Sequence, residues 1–196
     1  MFENMYLETE RLVLRPYTMD DLFELHKIVS QKEVMKYLPE KVMTQKQTEK
    51  TLTWIIDCYK ENTQKKIKKF SVGVFLKENK KLIGWCGLGP LEFDPSEIEI
   101  YYGLSKSYWG KGFATEAARA ILDYGFLIIG LKKIIAIVMP QNNASKRVIE
   151  KMGMVYRKQI ENLPAKHKAY EGDLYFSLTR DEYDSIKEKK HIANLD

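Results

Sequence analysis

Of all the segments in this chain, Tyr108–Ala120, with the sequence YWGKGFATEAARA, most restricts what the protein can fold into. Gly110 and Gly112 carry no Cβ, so the backbone there is free to take positive φ and to approach a ligand closely. From Ala114 onward, small and apolar residues recur at Ala117, Ala118, Ile121, Leu122, Gly125 and Phe126, the spacing of a buried helix face. A glycine turn therefore runs straight into a helix. The first amides of a helix have no internal acceptor and sit at the positive end of its dipole, which suits them to phosphate; Lys111 adds a full charge beside them. A P-loop is excluded, because no Gly-x-x-x-x-Gly-Lys-Ser/Thr run occurs. A dinucleotide fingerprint is excluded too: Thr115 stands where a third small residue belongs, and no repeated βαβ layout surrounds it. The glycines alone leave open a tight turn with no ligand.

The rest of the chain supplies a sheet for this turn. Leu12–Arg15 reads as a strand halted by Pro16. Thr18 with Asp21, and Thr44 with Gln47, are capping boxes ahead of two helical stripes, Leu22/Leu25/Val29 and Leu52/Ile55/Ile56/Tyr59. A short helical turn at Glu33–Leu38, before Pro39, lies between them. Alternation at Phe70, Val72, Val74 and Leu76, then Leu82–Leu88, predicts a hairpin turning at Glu78–Lys80. Leu91–Glu97 reads as a loop holding Pro95, and Ile98–Leu104 as a strand leading to the glycine turn. Gly130 caps the long helix, Ile134–Val138 is a buried strand, and Asn142–Met152 is a helix ended by Gly153. Strands at Val155–Ile160 and Asp173–Leu178 and a charged helix with its tail over 180–196 complete the chain. The expectation is seven strands and flanking helices in one domain, 1–196, whose motif-bearing part spans about 7–183.

Composition removes several classes of function. Hydrophobic residues make up 44% and charged residues 30%, ordinary values for a globular chain, and no apolar run approaches the roughly 20 residues that span a bilayer. Acids stand in MFENMYLETER where a signal peptide would be basic and then apolar, so the expected location is the cytoplasm. Cys58 and Cys86 make neither a disulfide framework nor a metal site, and none is expected. The net charge of +5 is scattered rather than gathered on one stripe, which speaks against nucleic acid as partner.

Three segments together carry a resemblance: LETERLVLRP at Leu7–Pro16, the glycine turn at Tyr108–Ala120, and PQNNASKRVIEKMGM at Pro140–Met154. In this order they resemble the GCN5-related N-acetyltransferases, and within them the ribosomal-protein-alanine N-acetyltransferase group. The resemblance implies an α/β fold of the α+β type. Its central sheet is mixed but mostly antiparallel, about seven strands flanked by helices, with a splay between the fourth and fifth strands. It also implies acetyl-CoA as acyl donor, its pyrophosphate held in an Arg/Gln-x-x-Gly-x-Gly/Ala turn. Here Ser107 stands at the Arg/Gln position, a departure that removes one expected contact.

Carried onto this chain, the resemblance assigns the turn residues Trp109, Gly110, Lys111, Gly112, Phe113, Ala114 and Thr115 to the pyrophosphate. Main-chain groups of Tyr102, Gly103 and Leu104 would bond the pantetheine arm, which fills the splay like a strand. Asn142 would bond the same arm, or act as a helix N-cap. Ser145 would lie by the thioester sulfur and donate to the departing thiolate, with Tyr156 as the alternative donor.

Direct transfer requires a neutral amine to attack the thioester carbonyl, so an ammonium with a pKa of about 10 must first lose a proton. Glu99 is the candidate base, and Glu97 lies two residues earlier on the same strand face. Glu92, Asp94, Glu97 and Glu99 crowd one segment of a net-basic chain, which would attract a cationic amine. Cys86 has no histidine near it in sequence, so a covalent acyl-enzyme is disfavoured.

The acceptor is not written in these motifs. Tyr37, Leu38 and Tyr170, within about Val34–Thr44 and Asn162–Gly172, are candidates to line its pocket. The leading reading is acetylation of a primary amine such as a protein N-terminus, in a monomer or homodimer. A small-molecule amine, antibiotic or polyamine, and an acyl-CoA-binding module without turnover stay open.

Overall fold

The computed structural model describes residues 1–38 and 41–193, the side chains of 190–193 excepted. Pro39 and Glu40, within the expected acceptor region, and the tail residues 194–196 lie outside that description. In chain order the elements are β1 (Leu7–Glu8), β2 (Leu12–Arg15), α1 (Leu22–Val29), α2 (Lys32–Met35), α3 (Gln45–Glu61), β3 (Phe70–Leu76), β4 (Leu82–Leu91) and β5 (Asp94–Leu104). There follow α4 (Phe113–Asp123), β6 (Lys133–Val138), α5 (Asn143–Lys151), β7 (Val155–Gln159), β8 (Leu174–Thr179) and α6 (Arg180–Ala193).

The eight strands form one sheet in the order β1-β2-β3-β4-β5-β6-β8-β7. Every neighbouring pair is antiparallel except β5–β6, which is parallel, so the sheet is mixed and mostly antiparallel as expected. The additional strand, β1, contributes only Leu7 and Glu8 against Leu14 and Val13. Two residues are too few for alternation to register in the sequence.

The two capping boxes form, with the Thr18 amide donating to Asp21 Oδ2 at 2.9 Å and the Thr44 amide to Gln47 Oε1 at 2.8 Å. Strand β3 is buried along its whole length because helices cover both faces. On one face Tyr59 of α3 donates its hydroxyl to the Ser71 carbonyl at 2.6 Å. On the other, Phe70 stacks on Tyr124, just beyond α4, at 5.5 Å between ring centres. The stripe predicted for α4 is the stripe it buries: Ala117, Ala118, Ile121 and Leu122. Ile121 and Leu122 alone each contribute about 2 kcal/mol by leaving water.

Two expectations need correction. Leu91–Glu97 is not a loop: β4 runs to Leu91, β5 begins at Asp94, and Glu92–Phe93 form the turn. The register shifts between Pro90↔Ile98 and Leu91↔Asp94, and such a bulge tolerates prolines that lack an amide for the ladder. The helix read through Phe126 is regular only to Asp123, after which Tyr124–Ile129 widen into a π-turn closed by Gly130 in the left-handed conformation.

The feature that positions the site is the β5–β6 seam. These strands share one bridged pair, Glu99↔Ile135, although β5 continues to Leu104 and β6 to Val138. Beyond that pair they part, leaving a gap that opens toward the glycine turn.

Candidate active site

At the open end of the seam, Gly112 takes φ +83° and serves as N-cap of α4 without a side-chain hydrogen bond. A serine or aspartate there would occupy the first amides; glycine leaves them to a ligand. Gly110, at φ +73°, shares the left-handed conformation and has open space where a Cβ would stand. Trp109 holds the turn to the sheet by donating from Nε1 to the Leu104 carbonyl at 2.7 Å.

A network that the sequence did not announce braces this turn from outside. Arg11 donates from Nη1 to the Lys111 carbonyl at 3.0 Å and lies over the Phe113 ring at 4.4 Å. Its Nε and Nη2 bind Glu116 at 2.8 and 2.6 Å, and Glu116 also accepts from Thr9 Oγ1 at 2.6 Å and the Arg11 amide at 2.8 Å. Partial burial opposes ionisation of Glu116, but the bonds from Thr9 and Arg11 prevail and hold its carboxyl below the usual value. A depressed folded-state pKa gives stability that is complete above the unfolded value, 4.5, and lost as pH falls through the folded value. Glu116→Gln is therefore expected to lower Tm at neutral pH, with the difference from wild type shrinking below about pH 4 in thermal melts.

The alternation of β5 decides which main-chain groups face the gap. The Ser105 amide donates to the Ile83 carbonyl at 2.8 Å, so Ser105 and Gly103 turn toward β4 while Leu104, Tyr102 and Ile100 turn toward β6. Tyr102 and Leu104 thus present backbone groups to the gap, although Trp109 already uses the Leu104 carbonyl. Gly103, expected to bond the pantetheine, does not face it. It makes room instead: a Cβ there would stand 2.2 Å from the Trp85 ring.

Side chains alternate between faces in the same way. On the α4 and α5 face, the Tyr102 hydroxyl lies 2.8 Å from Ser145 Oγ and 3.2 Å from the Ser145 carbonyl. Asn142 is the N-cap of α5, accepting from the Ser145 amide at 3.1 Å. Burial pushes the Tyr102 phenol far above its ordinary pKa, with the Ser145 bond opposing, so it stays protonated. The phenol was not anticipated: the sequence pointed only to the Tyr102 main chain. Tyr156, the alternative donor, sits half-exposed on β7 at the far edge of the sheet, its ring against Phe176.

The opposite face carries Glu99, half-buried at the last bridged pair. Glu97, beside it, is bound to Lys133 Nζ at 2.6 Å, and Glu92 accepts from the Tyr170 hydroxyl at 2.7 Å. Tyr170 also tilts against Phe93 at 5.3 Å, so the connection between β7 and β8 reaches back to the β4–β5 turn. From the helical side, Gln31 accepts from the Lys106 amide at 3.0 Å and donates to Ser105 Oγ at 3.1 Å, joining the α1–α2 corner to the glycine turn. Leu38 packs against the core, and Lys36 lies over the Tyr37 ring at 4.8 Å. Cys86 is fully buried and its thiol is pushed far up by that burial, which denies it the thiolate a nucleophile needs.

These features converge with comparison to known proteins. A family model described as "Acetyltransferase (GNAT) domain" matches residues 11–155. An uncharacterised N-acetyltransferase, p20, of Bacillus licheniformis is 33% identical over 181 residues, covering 90% of this chain and 97% of that protein. A GNAT-family acetyltransferase structure from Bacillus anthracis superposes with a TM-score of 0.76 at 29% identity, covering 90% of this chain and 99% of that one. The ribosomal-protein-S5-alanine acetyltransferase of Vibrio fischeri shares the fold at a TM-score of 0.75 and 20% identity, covering 92% and 99%. The chain belongs to the GNAT family of N-acetyltransferases and is an acetyltransferase enzyme. Among the described residues, no helix is long and apolar enough to cross a membrane.

Proposed function

We propose that the protein transfers an acetyl group from acetyl-CoA directly to a primary amine, with donor and acceptor entering the β5–β6 seam from opposite faces. One observation carries this reading: the strands part just beyond Glu99, with a carboxylate on one face and the Tyr102–Ser145 hydroxyl pair on the other. Bound acetyl-CoA supplies a thioester whose carbonyl is open to an amine and whose thiolate can leave.

The glycine turn and the uncapped amides of α4 hold the phosphates, Lys111 adds positive charge, and Arg11 keeps the turn in shape from behind. Thr115 lies in the first turn of the same helix. The gap-facing main chain of Tyr102 and the Leu104 amide orient the arm. Glu99 accepts the proton of the incoming ammonium. Ser145 Oγ donates a hydrogen bond toward the departing thiolate and is oriented by the Tyr102 hydroxyl, 2.8 Å away, which keeps its own proton. Asn142 fixes Ser145 by capping its helix. Lys133 holds Glu97 in an ion pair at 2.6 Å.

As the acceptor we infer a primary amine, the N-terminus of a protein being the leading case. Tyr170, one of the candidates to line its approach, is tied to Glu92 at 2.7 Å. A thiol-release assay with acetyl-CoA and a panel of amines, followed by mass spectrometry of the products, tests this. CoA-induced thermal stabilisation without thiol release for any amine would show a binding module instead. Ser145→Ala and Tyr102→Phe are each expected to lower kcat by about ten- to a hundredfold with little change in the KM for acetyl-CoA. Because the hydroxyls act as one unit, the double variant should be little worse than the poorer single variant.

A further inference from the structure

Gln31 stands where three elements meet. Its main chain opens α2, the carbonyl accepting from the Val34 and Met35 amides at 3.1 Å each. Its side chain closes α1: Nε2 donates at 2.9 Å to the Lys27 carbonyl, one of the last carbonyls of that helix, which have no partner within it. The same carboxamide reaches across to the end of β5, where Nε2 donates to Ser105 Oγ at 3.1 Å and Oε1 accepts from the Lys106 amide at 3.0 Å. Beside it, Glu33 of α2 meets Lys106 Nζ at 2.7 Å, an exposed pair that adds little by itself. Both ends of the Gln31 carboxamide are therefore committed.

This bridge runs from one face of the sheet to the turn that serves the other. A Cβ on Gly73 would meet the ring of Tyr17, whose amide donates to the Tyr59 hydroxyl of α3 at 2.9 Å. Gly73 pairs with Trp85 and Trp85 with Gly103, so Gly103, Tyr101 and Glu99 alternate onto the face that α3 covers. His26 of α1 meets Thr48 of α3 at 3.1 Å, which puts α1 on that face too. The glycine turn leads instead to α4, on the face of Tyr102 and Ser145. Ser105 and Lys106 are the link between β5 and that turn, and the Tyr108 amide bonds back to the Ser105 carbonyl at 2.9 Å. Gln31 thus fixes, from the Glu99 face, the point at which β5 leaves the sheet for the phosphate site.

We propose that Gln31 is a positioning residue that couples the two substrate sites: filling the phosphate site at the glycine turn firms the α1–α2 corner and the Tyr37–Leu38 segment that follows it. This rests on the reading of the turn as the acetyl-CoA site and of the Glu99 face as the acceptor's. Such coupling is reciprocal, so an acceptor held against the corner tightens the turn in return.

Hydrogen–deuterium exchange of the full chain, with CoA as the probe, tests this on wild type, Gln31→Ala and Gln31→Glu, while calorimetry follows CoA binding. In wild type, CoA is expected to slow exchange at the glycine turn directly, and over residues 31–38 by about fivefold or more, the lower end of an ordinary coupling between sites. In Gln31→Ala the turn should stay protected by CoA while the effect on 31–38 disappears. Gln31→Glu keeps an oxygen for the Lys106 amide and should keep most of the effect. Thermal melts accompany both variants, since each loses the bonds to Lys27 and Ser105. A purely structural Gln31 would behave differently: its loss would speed exchange over 31–38 equally with and without CoA. Protection of 31–38 by CoA that survives in Gln31→Ala, or that is absent from wild type with CoA bound, would overturn the proposal and leave the cofactor site standing. Failure of wild type to bind CoA would overturn both.

Discussion

Glu99→Gln is expected to lower kcat/KM for amine acetylation by about a hundredfold or more at neutral pH, the ordinary contribution of a general base. An alkylammonium of pKa about 10 is almost wholly protonated near neutrality, and glutamine can accept no proton from it. The deficit should shrink as pH rises, because solution then supplies neutral amine without help. Affinity for CoA, which we assign to the turn, should not change. A pH profile of kcat/KM beside a CoA titration separates these effects. Wild-type turnover in the variant at both neutral and lower pH would remove Glu99 as the base and leave a water chain in its place.

Gly112→Val should produce the second large effect, on the donor. At φ +83° a β-branched residue is strained by about 1–2 kcal/mol, and its Cβ would stand 3.3 Å from Arg11 Nη2. Relief requires the turn to move, which misaims the first amides of α4. The expected result is a rise of about tenfold or more in the KM for acetyl-CoA, with a lower Tm. Gly130→Val supplies the control, since Gly130 has the same φ of +83° but closes the far end of the helical segment. It should lose stability and keep its affinity for CoA. Equal losses of affinity in both variants would mean that the glycine turn is not the phosphate site.

How much of this was legible before the structure depended on the range of the interaction concerned. Helix α4 could be read because its apolar stripe is local, and β3 because alternation is local. The glycine turn could be read as a turn because its conformation is set by consecutive residues, Gly110 and Gly112 both taking positive φ. Nothing local marks Glu116, because its partner Arg11 is 105 residues away. Tyr102 and Ser145 were both singled out, but for different reasons, and nothing in 43 residues of separation indicates that their hydroxyls meet. Pro95 misled for a physical reason: proline signals a loop, and a bulge that excuses its missing amide depends on the partner strand.

The single bridged pair between β5 and β6 has a mechanical meaning as well. It divides the sheet into two blades, β1 to β5 and β6 with β8 and β7, joined at one end like a wishbone. The Glu97–Lys133 bond pins the closed end, and no ladder bonds the tips. A molecule wedged between the tips would break no strand pairing and would complete a row of hydrogen bonds that the chain leaves unfinished. Donor binding would then knit the blades into one continuous sheet, and loss of CoA after transfer would release them. Each turnover would stiffen the protein and then relax it.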